Sequence, residues 1–293
     1  LLGWSAYQEN ATMDFTGKTA IVTGAARGLG FSYARELARL GAQVVISDVG
    51  ADTLGDGADP QVVQAAALAL QGEGLRVVGH AGDLSGEAGC RALIECAITH
   101  FGQLDILIHN AGWVGYQPIE AADEAFIRRA MDVNVYAPIW LCKHAWQHLT
   151  RSAAPRIVLT TSDRAMYTRY VQPGLAAYSA GKMAQLGIMN ALSGEGAEAG
   201  ILVNAISPVA KTRMWGVTGE PNNLKPEWVT PGVIFLASAA CQDSGYILRA
   251  SNGQFTATRF AENPGVEYPV DLARVNASDA AQVAASWQAI KDC

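Results

Sequence analysis

Six short runs rich in β-branched residues, Thr19 to Thr23, Gln43 to Ser47, Arg76 to His80, Ile106 to His109, Arg156 to Thr160 and Leu202 to Ile206, alternate with Ala-rich stretches of helical length. Short continuous apolar runs of this kind suit strands buried on both faces. Alternating strands and helices need right-handed crossovers. These lay the strands parallel, cover both faces with helices and open a ligand crevice where the strand order reverses. The pattern predicts an α/β fold, a doubly wound parallel sheet. With 293 residues, 50% of them hydrophobic, a single large core is the simplest outcome. The expected organisation is an N-terminal extension over residues 1–12, one domain over 13–255 including its substrate loops, and a C-terminal tail over 256–293. The tail, with its amphipathic stretch Ser278 to Ile290, would pack on the domain or on a neighbouring subunit. No repeat or long linker interrupts the series, and the Gly/Asp-rich segment Gly50 to Pro60 reads as a loop inserted after the second strand.

The run Thr23-Gly24-Ala25-Ala26-Arg27-Gly28-Leu29-Gly30 follows the first strand directly and opens a helix expected over Phe31 to Leu40. In that context glycines allow a tight turn and close backbone approach, while the helix N-terminus turns its N–H groups and positive dipole end towards a pyrophosphate. Such a crevice belongs to a Rossmann fold. Asp48 ends the second strand, where a carboxylate suits the adenosine ribose hydroxyls and repels a 2′-phosphate; NAD is therefore expected over NADP. Arg27 is open to two readings, pairing with such a phosphate or standing solvated at the helix start. Asp48 could instead cap a turn, and Asp83 the next helix.

A net charge of −6, with no cluster of Lys and Arg, argues against nucleic acid or an anionic membrane as principal partner. No apolar run reaches the roughly eighteen residues needed to span a bilayer. The first residues, Leu1-Leu2-Gly3-Trp4-Ser5, lack the basic flank and apolar core of a signal peptide. A cytoplasmic protein with small-molecule ligands is expected. The five cysteines, Cys90, Cys96, Cys142, Cys241 and Cys293, are odd in number and lack metal-ligand spacing, so free thiols and no metal are expected.

Together with the glycine run, Asn110-Ala111-Gly112, Asn134 within Val133-Asn134-Val135, Ser162 and Tyr178-x3-Lys182 occur in the order found in the classical short-chain dehydrogenase/reductase family, which the chain resembles from Met13 to the last expected strand near Gly245 to Ser251. The resemblance implies that Asp83 and Leu84 meet the adenine, that Asn110, Ala111 and Gly112 line the cofactor groove, and that Pro208 and Thr212 hold the nicotinamide end. It also implies that Asn134 anchors a proton-relaying water, and that helices near Asp123 to Leu149 and Tyr178 to Gly200 pair subunits into a homodimer or homotetramer. The catalytic logic stands on chemistry as well. A secondary alcohol releases hydride only as its hydroxyl proton leaves, so a base must lie within hydrogen-bond reach. Tyr178 is the candidate base, Lys182 one helical turn on is placed to favour its phenolate, and Ser162 orients the substrate oxygen.

Two departures from the family pattern bear on the substrate. Val209 follows Pro208 where the family usually has glycine, leaving the local backbone geometry open. Ser162 precedes Tyr178 by 16 residues, a longer spacing than usual. The extra loop offers Met166, Tyr167 and Tyr170 as an apolar wall with Trp113, Tyr116, Met214 and Trp215 from neighbouring loops, although some of these residues could equally pack the loop down. The expectation is an NAD-dependent oxidoreductase acting on a bulky apolar secondary alcohol, of the steroid or aromatic class, and its ketone. The alternatives are a (3R)-hydroxyacyl-CoA dehydrogenase, favoured by a resemblance of Leu224 to Pro231 and of the loop after Asp48 to the dehydrogenase domain of peroxisomal multifunctional enzymes, and an NAD(H)-sensing protein without turnover.

Overall fold

The structure, a computed structural model, describes residues 13–212 and 221–291. Contacts divide the chain into two compact units, one ending at Thr258 and the other beginning at Arg259. The first contains the whole sheet. Its strands are β1 (Thr19–Thr23), β2 (Gln43–Asp48), β3 (Val77–Ala81), β4 (Ile106–His109), β5 (Arg156–Thr160), β6 (Leu202–Val209), β7 (Ile247–Ser251) and β8 (Gln254–Thr258). They lie in the order β3-β2-β1-β4-β5-β6-β7-β8, with β8 alone antiparallel. β1 pairs with β2 on one side and β4 on the other, so the order reverses between β1 and β4 and the strands' carboxyl ends diverge there.

The helices are α1 (Gly28–Arg39), α2 (Pro60–Gly72), α3 (Glu87–Phe101), α4 (Glu124–Met131), α5 (Ala137–Leu149), α6 (Asp163–Met166), α7 (Ala176–Glu195) and α8 (Thr230–Ala237). Successive strand side chains point to opposite faces, so each central strand feeds two cores. Val22, Val44, Ile46, Ile106 and Ile108 join Leu37 of α1 and Val63 of α2 in one core. Ile21, Val45, Leu107, Ile157 and Leu159 join Leu93 of α3, Leu141 of α5 and Met189 of α7 in the other. Burial of near-continuous apolar strands on both faces is what the six sequence runs require.

The differences from expectation have local causes. α1 begins at Gly28, so the glycine turn forms part of the helix start. β6 runs on through Pro208 and Val209, which register with Ala250 and Ser251; the valine is accommodated as ordinary strand. β8 adds residues beyond the expected domain end, and it escapes a reading based on buried runs because nearly all its side chains are exposed. In the second unit, Ser278 to Ile290 forms two short helices, α9 (Ala280–Ala285), capped by Asp279, and α10 (Trp287–Lys291), with no buried residue in either.

Candidate active site

The glycine turn and β4 form the floor of the groove. Gly24 adopts φ +60°, and a Cβ there would lie 2.9 Å from the Ala111 Cα. A Cβ on Gly30 would meet the Gly24 carbonyl oxygen at 2.3 Å. Only glycine fits that crossing of backbones. Asn110 ties the floor together: its side-chain amide donates to the carbonyls of Thr23 (3.1 Å) and Gly24 (3.0 Å). The backbone N–H groups of Asn110 and Ala111 donate to the Thr23 hydroxyl.

At the tip of β2 the Asp48 carboxylate accepts from the N–H groups of Ala26 (3.1 Å) and Gly50 (2.8 Å), which fix its direction at the groove wall. Arg27 donates to the carbonyl of Ala51 at 2.9 Å. Asp83 receives the backbone N–H and hydroxyl of Ser85, closing a local turn, while Leu84 is buried beside it. A cavity of about 750 Å³ runs from Asp48, Asp83 and Leu84 past Gly24, Arg27, Gly28, Leu29 and the Asn110–Gly112 segment to Ser162, Tyr178, Lys182, Pro208 and Thr212. Positive-φ glycine, a backbone crossing that a Cβ would fill and a directed carboxylate at β2 are the features a dinucleotide requires, and these residues fit one.

The inner end of the cavity is assembled from three elements. Ser162 follows β5 and caps α6, its oxygen accepting the Arg164 N–H at 3.2 Å. Tyr178 and Lys182 lie one turn apart on α7, and the Ser162 hydroxyl is close enough to the Tyr178 phenol to favour its ionised form. Lys182 is buried; its ammonium donates to the Thr160 carbonyl at 2.9 Å and lies 6.0 Å from the centre of the Tyr178 ring. Asn134 sits in a π turn, Asp132–Tyr136, between α4 and α5. Its side chain is bracketed by the backbone of Trp113, accepting from the N–H at 3.3 Å and donating to the carbonyl at 2.9 Å.

Burial raises the Tyr178 phenol above its ordinary value of 10.0, partly offset by the Ser162 hydroxyl and the Arg164 charge. Burial also holds Lys182 down to about 8. His109, buried in β4, is lowered to about 3 by burial and by the Lys182 charge and stays neutral. Burial thus keeps Tyr178 a neutral phenol, a proton donor, one turn from a cation that is easily neutralised.

Sequence reasoning missed the residues that pack this constellation. Gln185 donates to the Asn134 carbonyl (3.2 Å) and accepts from the Thr160 N–H (3.0 Å). Gly181 brings α7 against the π turn, where a Cβ would lie 2.6 Å from the Asn134 Cβ. A Cβ on Gly112 would sit 2.9 Å from the Lys182 nitrogen. Position relative to Tyr178 and Lys182 on one helix was the available signal for Gly181 and Gln185.

The long Ser–Tyr loop is tied to the sheet. It folds as α6 and a 3₁₀ turn over Thr168–Tyr170. Asp163 pins it to the sheet, accepting from Arg249 of β7 (2.7 Å) and from the Ser207 hydroxyl (2.7 Å). Tyr167 stacks on the Arg249 guanidinium (4.6 Å) and meets Tyr170 edge-on, while the partly buried Met166 packs against the core. Of the candidate substrate residues, Trp113 lines the cavity; Met166, Tyr167 and Tyr170 do not. Tyr116 accepts from Arg164 at 2.8 Å. Met214 and Trp215 lie outside the described residues. Among the described residues, Cys90, Cys96, Cys142 and Cys241 are free thiols, no group of three or more His, Cys, Asp or Glu side chains could hold a metal, and no helix is long and apolar enough to cross a membrane.

A dinucleotide-shaped groove ending in Tyr, Ser and Lys defines a class of oxidoreductase, and comparison with known proteins gives the class its name. The sequence model of the family described as short chain dehydrogenase matches residues 18–222. A short-chain type dehydrogenase/reductase of Mycobacterium tuberculosis is 28% identical over 278 residues, covering 94% of each chain. The peroxisomal multifunctional enzyme type 2 of Drosophila melanogaster is 30% identical over 254 residues, 86% of this chain but 42% of that relative. The crystal structure of a short chain dehydrogenase from Mycobacterium avium superposes with a TM-score of 0.78 at 25% identity, covering 94% of this chain and 95% of that one. The chain belongs to the short-chain dehydrogenase family of oxidoreductases, which works with NAD or NADP.

Proposed function

We propose that the protein is an NAD-dependent dehydrogenase that interconverts a secondary alcohol and its ketone, with Tyr178 as the proton-transferring residue. The observation that carries this reading is the convergence of the Tyr178 phenol, its Ser162 partner and the Lys182 ammonium on the inner end of a groove whose outer end presents the Asp48 carboxylate. The backbone of Gly24 to Gly30 would hold the pyrophosphate and Asp48 the adenosine ribose. Asp83 and Leu84 would meet the adenine, Lys182 the nicotinamide ribose, and Pro208 and Thr212 the nicotinamide end. When bound, the oxidised nicotinamide supplies a hydride acceptor and a positive charge that favours phenolate. Ser162 donates to the substrate oxygen, and Tyr178 takes the hydroxyl proton in oxidation or returns it in reduction. Asn134 and Gln185 hold α7 against the π turn, so that Lys182 and Tyr178 keep one geometry. Asp48 supports NAD over NADP because a carboxylate facing a 2′-phosphate is repelled.

The substrate we propose is a 3-hydroxyacyl thioester. Of the loop side chains that favoured a steroid or aryl alcohol, Tyr167 stacks on Arg249 of β7 and meets Tyr170 edge-on, and neither lines the cavity. The multifunctional-enzyme relatives also include the peroxisomal hydratase-dehydrogenase-epimerase of Saccharomyces cerevisiae, 31% identical over 256 residues, which are 86% of this chain and 28% of that relative. A bulky aromatic alcohol is the second reading, supported by Trp113 in the cavity and by the hydroxynaphthalene reductase arp2 of Aspergillus fumigatus, 31% identical over 204 residues. The exposed Ile127, Tyr136, Ile139 and Met183 on α4, the π turn, α5 and α7 support a homodimer or homotetramer. Unpaired thiols support a reducing, cytoplasmic setting.

The test is NADH formation from NAD with a 3-hydroxyacyl-CoA, a hydroxysteroid and an aryl secondary alcohol, each repeated with Tyr178→Phe. Turnover of the thioester that Tyr178→Phe abolishes is expected. NADH binding without turnover of any alcohol would move the reading to a nucleotide-sensing protein.

A further inference from the structure

The loop joining β2 to α2 is a built structure. Its base closes where Asp59 N–H donates to the Val49 carbonyl (3.0 Å). Inside it, Asp52 accepts from the N–H groups of Leu54 (2.8 Å) and Asp56 (2.9 Å). Self-closed loops of this size are packed by their own bonds and are frequently functional.

The tip is fastened to the opposite side of the groove. Arg129 of α4 pairs with Asp56 at 2.7 Å and donates to the Gly55 carbonyl. The same guanidinium lies 4.8 Å over the Trp113 ring, and the Trp113 indole N–H donates to the Leu54 carbonyl at 3.0 Å. Contact there is close enough that a Cβ on Gly55 would come within 2.5 Å of the Trp113 ring. Val49, Leu54 and Asp56 of the loop line the same 750 Å³ cavity as Asp48 and Gly28. In the sheet, β1 lies between β2 and β4. A loop that leaves β2 and is fastened to Trp113 and α4 therefore bridges the carboxyl end of β1, where the glycine turn begins.

We propose that residues 49–59 are a roof over the adenosine half of the nucleotide groove, that Arg129 is its latch, and that the latch must open for the nucleotide to enter and leave. The proposal rests on the dinucleotide reading of the site. Through Gly50, whose N–H holds Asp48, the roof also sets the direction of the carboxylate that faces the ribose. A roof of this kind slows exchange in both directions, because the closed state neither admits nor releases ligand.

The test is stopped-flow measurement of NADH association and release for the wild type, Arg129→Met, Asp56→Asn and the double variant. Arg129 and Asp56 are both solvent-accessible, so the substitutions leave the cores untouched. Losing an ion pair of this kind together with the stacking contact corresponds to an acceleration of release of about fivefold. We expect that change in Arg129→Met, a smaller one in Asp56→Asn, faster association in both, and a double variant no faster than Arg129→Met, since both substitutions open the same latch. Release rates within about 1.5-fold of wild type in both single variants, or strictly additive effects in the double, overturn the proposal. A wild type that binds neither NADH nor NADPH sinks the dinucleotide reading itself, so the two failures are distinguishable.

Discussion

Lys182 carries an energetic cost that its position explains. With its ammonium buried and its pKa drawn from 10.5 to about 8, the unfolded chain binds more protons than the folded one between those values, so wild-type stability contributed by this group rises as pH increases through that window. Denaturant titrations of wild type and Lys182→Met should show the wild type gaining on the variant between pH 8 and 10.5; a constant difference would contradict it. At the other end of the groove, Asp48→Ala removes the carboxylate aimed by Ala26 and Gly50. The ratio of NADH to NADPH affinity, read by fluorescence titration, should fall by about tenfold or more. An unchanged ratio would take Asp48 out of nucleotide selection. The site was legible at this scale wherever spacing alone fixes geometry: Tyr178 and Lys182 share a helix face because they are four residues apart. Met166, Tyr167 and Tyr170 were not, because the direction of loop side chains depends on the partner Asp163 finds in Arg249, 86 residues further along the chain.

That ion pair acts at the level of the element. The Ser–Tyr loop contains two short helical turns with no buried residue in either, and such turns are marginal by themselves. The bidentate Arg249–Asp163 contact, with side chains 27% and 16% exposed, holds them to β7. Arg249→Met should cost about 1–3 kcal/mol in urea unfolding, between the values for exposed and fully buried pairs. Because Ser162 caps the pinned turn, the same variant should lower kcat more than it raises KM. The glycine turn makes a sharper prediction. With the Gly24 oxygen 2.3 Å from any Cβ on residue 30, Gly30→Ala must push α1 away from β1. Loss of NADH affinity by about tenfold or more, measured by calorimetry, is the expected result.

Across the molecule, the six buried runs foretold the parallel core because strands covered on both faces can be little but apolar. The exposed edge strand β8 carries no such mark and had to be found in the structure. Exposure also marks the outer faces of α5 and α7, where Ile139 and Met183 stand about two-fifths or somewhat less open to solvent (40% and 36%). If these faces pair subunits, Ile139→Lys should shift sedimentation towards smaller species; an unchanged profile would move the interface elsewhere. The π turn at Asp132–Tyr136 determines which face that is. A π turn behaves as a single residue inserted into an α-helix, and one residue is about 100° of helical rotation. Removing one residue between 132 and 136 would let α4 and α5 fuse into one regular rod. The deletion would leave the composition almost untouched, yet it would swing Asn134 off the groove or Ile139 off the outer face. A change in phase, with no loss of any named side chain, would then turn the outer face relative to the site inside.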